Sequence, residues 1–182
     1  MKSVKEIEKG AYEKMKSIFG YKNALSAPRL VKVVLSVGTG KAVKNDKNRN
    51  DLVVDRLTKI TGQKPAIRKA KKAIASFKTR QGDVIGVMVT LRGEKMFNFA
   101  DKLLNVSLPR TKDFRGIGTS GVDEHGNMTF GIKEHTIFPE IKDEELKDVF
   151  SLAVTFVTTA KSKEEAMEYF KLLNVPFVKA DK

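Results

Sequence analysis

Three stretches of this chain alternate with a period of two, and between them lie segments whose apolar residues recur at helical spacing. In the first stretch Val31, Val33, Leu35 and Val37 share one face, while Leu30, Lys32, Val34 and Ser36 share the other. In the second, Ile85, Val87, Val89 and Leu91 oppose Val84, Gly86, Met88, Thr90 and Arg92. In the third, Leu152, Val154, Phe156 and Thr158 oppose Ala153, Thr155, Val157 and Thr159. Strands with one dry face and one mixed face belong to a sheet that is covered on one side only.

The covering elements are equally readable. Ser3-Val4-Lys5-Glu6 is a capping box, and Val4, Ile7, Ala11, Met15 and Ile18 continue it as a helix over residues 3–19 that stops at Gly20. A second helix, Asn50 to Thr61, buries Val53, Leu57 and Ile60 and ends at Gly62. Extended chain resumes over Gln63–Arg68, where Pro65 places it at a strand start or on a sheet edge. Met96, Phe97, Ala100, Leu103 and Leu104 mark a third helix, a glycine-rich loop with a short strand near Met128–Ile132 follows, and Ser162 caps a last helix burying Ala166, Phe170 and Leu173.

The order is therefore α, β-α-β, β-α-β, β-α. It predicts an α+β fold of the split β-α-β (RRM- or ferredoxin-like) kind, an antiparallel-rich sheet with helices packed on one face and the other face left open. No repeat or linker divides the chain, so residues 1–182 read as a single domain.

Charge says what the open face meets. Thirty-five Lys and Arg against 22 Asp and Glu give a net charge of +13 on 182 residues, which calls for an anionic partner, either nucleic acid or an anionic membrane. The apolar runs are short and broken, so no membrane span or signal peptide is expected and the chain reads as soluble and cytoplasmic. A membrane-surface role would rest on the first helix, whose Tyr12 and Phe19 are modest anchors. The chain has no Cys, and His125 and His135 stand ten positions apart, so no metal or cofactor is expected.

Two groups of residues carry the expected chemistry. On the open face Lys32, Ser36, Thr90 and Arg92, with Gln63 at the next strand start, combine cations with hydroxyl and amide groups that suit phosphates and ribose 2′-hydroxyls. The stretch from Gln63 to Gly82 holds seven basic residues and no acid, among them Lys71, Lys72, Lys78 and Arg80 flanking Phe77, a ring suited to stacking on a base or ribose. The Val84–Arg92 strand carries no aromatic at its centre, which favours reading RNA by shape over stacking single strands there.

Two glycine loops offer an alternative, a nucleotide-dependent enzyme. Gly38-Thr39-Gly40-Lys41 lacks the first glycine and the final Ser or Thr of a phosphate loop, and Gly116-Ile117-Gly118-Thr119-Ser120-Gly121 runs into turn residues where a dinucleotide site needs a helix. No pairing of Ser, His, Asp or Glu proposes a nucleophile and base, so no catalytic residue is assigned.

Several motifs stand in a familiar order: Leu35-Ser36-Val37-Gly38-Thr39-Gly40, Gly62-Gln63-Lys64-Pro65, Phe77-Lys78-Thr79-Arg80-Gln81-Gly82, Val89-Thr90-Leu91-Arg92-Gly93, Pro109-Arg110 with Asp113-Phe114-Arg115-Gly116, and Ile137-Phe138-Pro139-Glu140. From about residue 3 to Phe177 the chain resembles the bacterial-type large-subunit ribosomal protein five family. The resemblance implies a large-subunit constituent whose sheet face binds 5S ribosomal RNA in the central protuberance. It also implies a loop near peptidyl-site transfer RNA and a bridge to small-subunit ribosomal protein thirteen. The family's RNA-facing positions match Ser36, Gln63 and Thr90, with Ser36 in place of the usual asparagine. The loop positions match Lys71, Lys72, Ser76, Lys78 and Arg80, with Ser76 where glycine is common. The bridge falls to the carboxy-terminal half, with the acidic residues Glu140, Asp143, Glu144, Glu145 and Asp148 as its candidates.

Overall fold

Ser3 and Glu6 open the chain as their spacing predicts: the Glu6 amide donates to Ser3 Oγ at 3.2 Å and the Ser3 amide donates to Glu6 Oε2 at 3.1 Å. The computed structural model describes residues 3–40, 42, 48–112, 114–141 and 148–178. The expected helix over 3–19 is two helices, α1 (Val4–Lys9) and α2 (Ala11–Phe19), because the chain turns at Gly10. Val4, Ala11 and Met15 are buried as their spacing requires, but Ile18, at the far end of α2, is 62% exposed. Gly20 then ends α2 in the left-handed region, where a side chain would be strained.

After α2 come β1 (Leu30–Gly38), α3 (Arg49–Thr61), β2 (Ala66–Lys69), β3 (Val84–Leu91) and α4 (Gly93–Lys102). A π-helical turn over Leu103–Ser107, β4 (Met128–Ile132), β5 (Leu152–Thr158) and α5 (Lys163–Leu172) complete the order. The fold is α+β, with a five-stranded antiparallel sheet of order β2-β3-β1-β5-β4. Pro65, which has no N–H to give a ladder, precedes edge strand β2, as expected.

The alternation holds in the strand interiors and fails at two strand ends. Val33, Leu35, Val37, Val87, Val89, Leu91, Val154 and Phe156 are all buried. Val31 is 42% exposed while Leu30, assigned to the mixed face, is buried, and Ile85 is 38% exposed. Period two reports a face only where neighbouring strands continue on both sides.

The chain gathers into two compact units, with β1, β3, β4 and β5 each giving residues to both: Met1–Val33, Leu91–Phe130 and Val154–Lys182 form one, Val34–Thr90 and Gly131–Ala153 the other. In the first, Phe156 packs between Phe130 and Phe170, with ring centroids 6.2 and 6.4 Å away. The Tyr169 hydroxyl donates to Glu8 Oε2 at 2.8 Å, and the Leu30 amide donates to the same oxygen at 3.1 Å. Burial and the Glu8 carboxylate hold the Tyr169 phenol well above its usual range, so it remains a donor throughout the working pH.

In the second unit α3 buries Val53, Leu57 and Ile60, and Gly62 closes it with φ of 64°. His135 is a core residue: its Nδ1 accepts from the Phe150 amide at 3.3 Å, and the rings stack with centroids 3.9 Å apart. The Arg49 guanidinium lies over the Phe150 ring at 5.9 Å and donates to the Val149 carbonyl at 2.7 Å. Strand β3 passes so close to β1 that a Cβ at Gly86 would sit 2.9 Å from the Val37 carbonyl oxygen, whereas a Cβ at Gly131 meets nothing within 4 Å. Gly86→Ala should destabilise the fold by about 1–3 kcal/mol, the usual cost of overpacking. Gly131→Ala should stay within about 0.5 kcal/mol of the parent. Urea unfolding of the two variants checks the difference, and equal midpoints would show that the strands yield to the added methyl.

Candidate nucleic-acid interface

Within the second unit the sheet brings three of the sequence-assigned residues to half-open or exposed positions. Ser36 is exposed on β1, and Gln63 and Thr90 are half-buried. The register explains Gln63. Ala66 pairs with Met88, so continuing the ladder would set Pro65 opposite Val89 and Lys64 opposite Thr90. Pro65 offers no amide there, and just before it the Gln63 side chain supplies a bond of its own, its Nε2 donating to the Thr90 carbonyl at 3.0 Å. Thr61 Oγ1 fixes the turn by donating to the Leu57 carbonyl at 2.7 Å and accepting from the Gln63 amide at 3.3 Å. Both Gln63 and Thr90 keep part of their surface open to solvent.

Ser36 lies in a shallow groove of about 380 Å³ with Lys133 and Ser151 beside it. Neither of these two stands out in the sequence. Lys133 follows β4 and Ser151 precedes β5, and only the strand order β1-β5-β4 carries them to Ser36. The two other residues assigned to the face belong to the first unit: Lys32 is half-buried on β1, and Arg92 is exposed just past β3, where it leads into α4.

The basic loop has a definite shape. At its base the Ala70 amide donates to the Asp83 carbonyl at 2.8 Å and the Gly82 amide donates to the Ala70 carbonyl at 3.0 Å. Farther out Ile74 and Thr79 exchange amide-to-carbonyl bonds of 2.9 and 3.2 Å around a 3₁₀ turn over Ala75–Phe77, and Lys78 takes a left-handed φ of 49°. Lys71, Lys72, Ser76, Phe77, Lys78 and Arg80 all lie exposed along this hairpin, Phe77 at 66%. Its four cations form no ion pair among the described residues. Like charges gathered without counterions repel each other, and an anionic ligand relieves that repulsion. The one nearby acid, Asp83, is engaged with backbone: its Oδ2 accepts from the Arg80 amide at 2.7 Å and so holds the turn that aims the loop.

The comparisons with known proteins decide the family. Residues 23–80 match the family described as "Ribosomal protein L5", and residues 84–177 match the model of the same ribosomal family's C-terminus. The chain is 54% identical over 159 residues to "Large ribosomal subunit protein uL5" of Heliobacterium modesticaldum, covering 87% of this chain and 88% of that one. It is 49% identical over 178 residues to the protein of the same name from Desulforapulum autotrophicum, covering 97% and 99%. The chain belongs to the uL5 family of large-subunit ribosomal proteins.

A uL5-family chain is a ribosomal protein and not an enzyme, and both glycine loops depart from the geometry of a nucleotide loop. The Thr39 and Gly40 amides, which a phosphate loop would aim at its ligand, both donate to the Ile85 carbonyl, at 2.9 and 3.1 Å. The Lys41 of that motif lies outside the described residues. Gly118 leads into a 3₁₀ turn over Thr119–Gly121 and then β4, with no helix to receive a pyrophosphate. Among the described residues no group of His, Asp and Glu is placed to hold a metal ion, and no helix is long and apolar enough to cross a membrane. Of the acidic cluster, Glu140 and Asp148 are described, while Asp143, Glu144 and Glu145 lie outside the described residues.

Asp83 gives the loop a test of its own. Asp83→Ala removes a negative charge and also the acceptor of the Arg80 amide, so that amide's hydrogen exchange should quicken by about tenfold, the loss of one charge-assisted bond. Unchanged exchange would show that the loop keeps its shape without the carboxylate.

Proposed function

We propose that the chain is a structural constituent of the large ribosomal subunit that binds 5S ribosomal RNA through its sheet face and helps attach it in the central protuberance. The observation that carries this reading is the pairing of Gln63 and Thr90: Gln63 is fixed by its bond to the Thr90 carbonyl, and both residues stay half-buried, not enclosed. Lys32, Ser36 and Arg92 add cations and a hydroxyl along β1 and after β3. Rigid hydroxyl and amide groups beside cations suit the 2′-hydroxyls and phosphates of folded RNA, which is recognised largely by shape and backbone. Residues 1–182 act in this reading as one domain, since the strands run through both compact units.

The loop bearing Lys71, Lys72, Ser76, Phe77, Lys78 and Arg80 is assigned to peptidyl-site transfer RNA, and the carboxy-terminal half to a bridge with small-subunit ribosomal protein thirteen and to other large-subunit components. The unpaired cations of the loop and its ordered hairpin support the first assignment. The resemblance of the motifs alone supports the second. Such a protein works with ribosomes in the cytoplasm, and the reading leaves no role for a membrane or a cofactor.

Titration of 5S RNA should show binding whose log affinity falls linearly with log salt, because each neutralised phosphate releases counterions. Thr90→Val, which removes only the hydroxyl, should weaken that binding by about three- to tenfold with little change in stability. Gln63→Ala should weaken it further while also costing about 1 kcal/mol of stability through the lost Thr90 bond. Lys78→Ala should leave 5S affinity nearly intact. A protein that binds a random hairpin as well as 5S RNA defeats the proposal, and a large 5S defect in Lys78→Ala defeats its division between face and loop.

A further inference from the structure

The loop residues that carry charge also wall a cleft. Between the hairpin and the ends of β1 and β3 lies an open cavity of about 860 Å³, larger than the groove at Ser36. Its walls are apolar: Ile74, Phe77 and Ile85 stand 47, 66 and 38% exposed, and Ile85 faces the cleft despite a strand pattern that predicted it buried. Gly38 and Gly40 leave the floor without side chains, and a Cβ at Gly40 would advance to 3.7 Å from Ile85. Lys71, Lys72 and Lys78 stand around this apolar surface.

An apolar cleft rimmed by unpaired cations asks for a ligand with the reverse pattern, a flat hydrophobic body carrying anions at its edges. The phosphates of a duplex would satisfy the lysines but offer nothing to the exposed Ile74 and Ile85, because paired bases are stacked out of reach. An apolar peptide would satisfy the walls and leave the lysines uncompensated. An unpaired nucleotide meets both demands, since its base offers a π-face to Phe77 and its flanking phosphates reach the lysines.

We infer that this cleft receives a single unstacked base of the RNA that the loop contacts, with the neighbouring phosphates on Lys71, Lys72 and Lys78. The inference rests on the proposal that the loop is an RNA contact, and it adds that the contact is to an extruded base rather than to a helical backbone. The expected consequence is a preference for loop or single-stranded nucleotides at this site, in contrast to the shape reading assigned to the sheet face.

The test uses the full chain and three probes at low salt. The first is a five-nucleotide single-stranded RNA with 2-aminopurine at its centre, the second the same strand with an abasic centre, and the third the anionic dye 1-anilinonaphthalene-8-sulfonate. The base-containing strand should bind about tenfold more tightly than the abasic one, as expected for one stacked base, with a change in 2-aminopurine emission. Phe77→Ser and Ile85→Asn, which alter exposed walls and no charge, should each reduce the affinity of the first strand to that of the second. Equal binding of the two strands, falling with salt, overturns the base site and leaves the loop's RNA contact standing. Failure of both strands to bind overturns the base site and the loop's RNA contact together. Dye that enters the cleft and resists displacement by the base-containing strand overturns the inference in favour of an apolar protein partner.

Discussion

The structure depends on the burial of one face of the middle strand. Val33, Leu35 and Val37 are buried on β1, which lies third in a sheet of five, so every other strand is registered directly or through a neighbour against it. A slip of one residue would turn that apolar face outward, which makes the register costly to change. The same constraint orients what remains. With Leu35 and Val37 inward, Ser36 is exposed, and with Val89 and Leu91 inward, Thr90 turns to the half-open side. The close approach of β3 to β1 at Gly86 tightens this arrangement, because no side chain stands between the two backbones there.

The interior of this design is legible in the sequence because it rests on local periodicity. The helix starts at Ser3 and Ser162, the stops at Gly20 and Gly62, and the edge position of β2 all follow from residues within one turn of the feature. What escapes such a reading depends on distant neighbours. Ile18 has helical spacing but nothing over it, and Leu30 and Val31 exchange roles at a strand end. Tyr169 gives no local signal because its fit depends on Glu8, 161 residues away. The break at Gly10 and the π-helical turn after α4 are backbone adjustments for which period 3.6 gives no signal.

The candidate site divides in the same way. Gln63, Thr90 and the cations of the loop follow from alternation and charge, whereas Lys133 and Ser151 join Ser36 only through the order of strands. Asp83 escapes for a different reason. The acid-free stretch ends at Gly82, and the residue just beyond it holds the loop's last turn. Counting charges treats an acid beside a basic loop as a loss of positive potential, but here the carboxylate accepts from backbone and fixes where the positive charge points.

That distinction separates the two contacts physically. A face held by ladder bonds and by the Gln63 side chain presents fixed polar groups with little room for adjustment. The loop is closed by two pairs of backbone bonds around a turn, with its cations outside them and Ile74, Phe77 and Ile85 about its cleft. Its positive potential is therefore long-ranged and sensitive to salt, while the apolar cleft beside it acts only at contact distance. One sheet thus presents two different surfaces, because burying a single face leaves its other face half-open and its edge loop exposed.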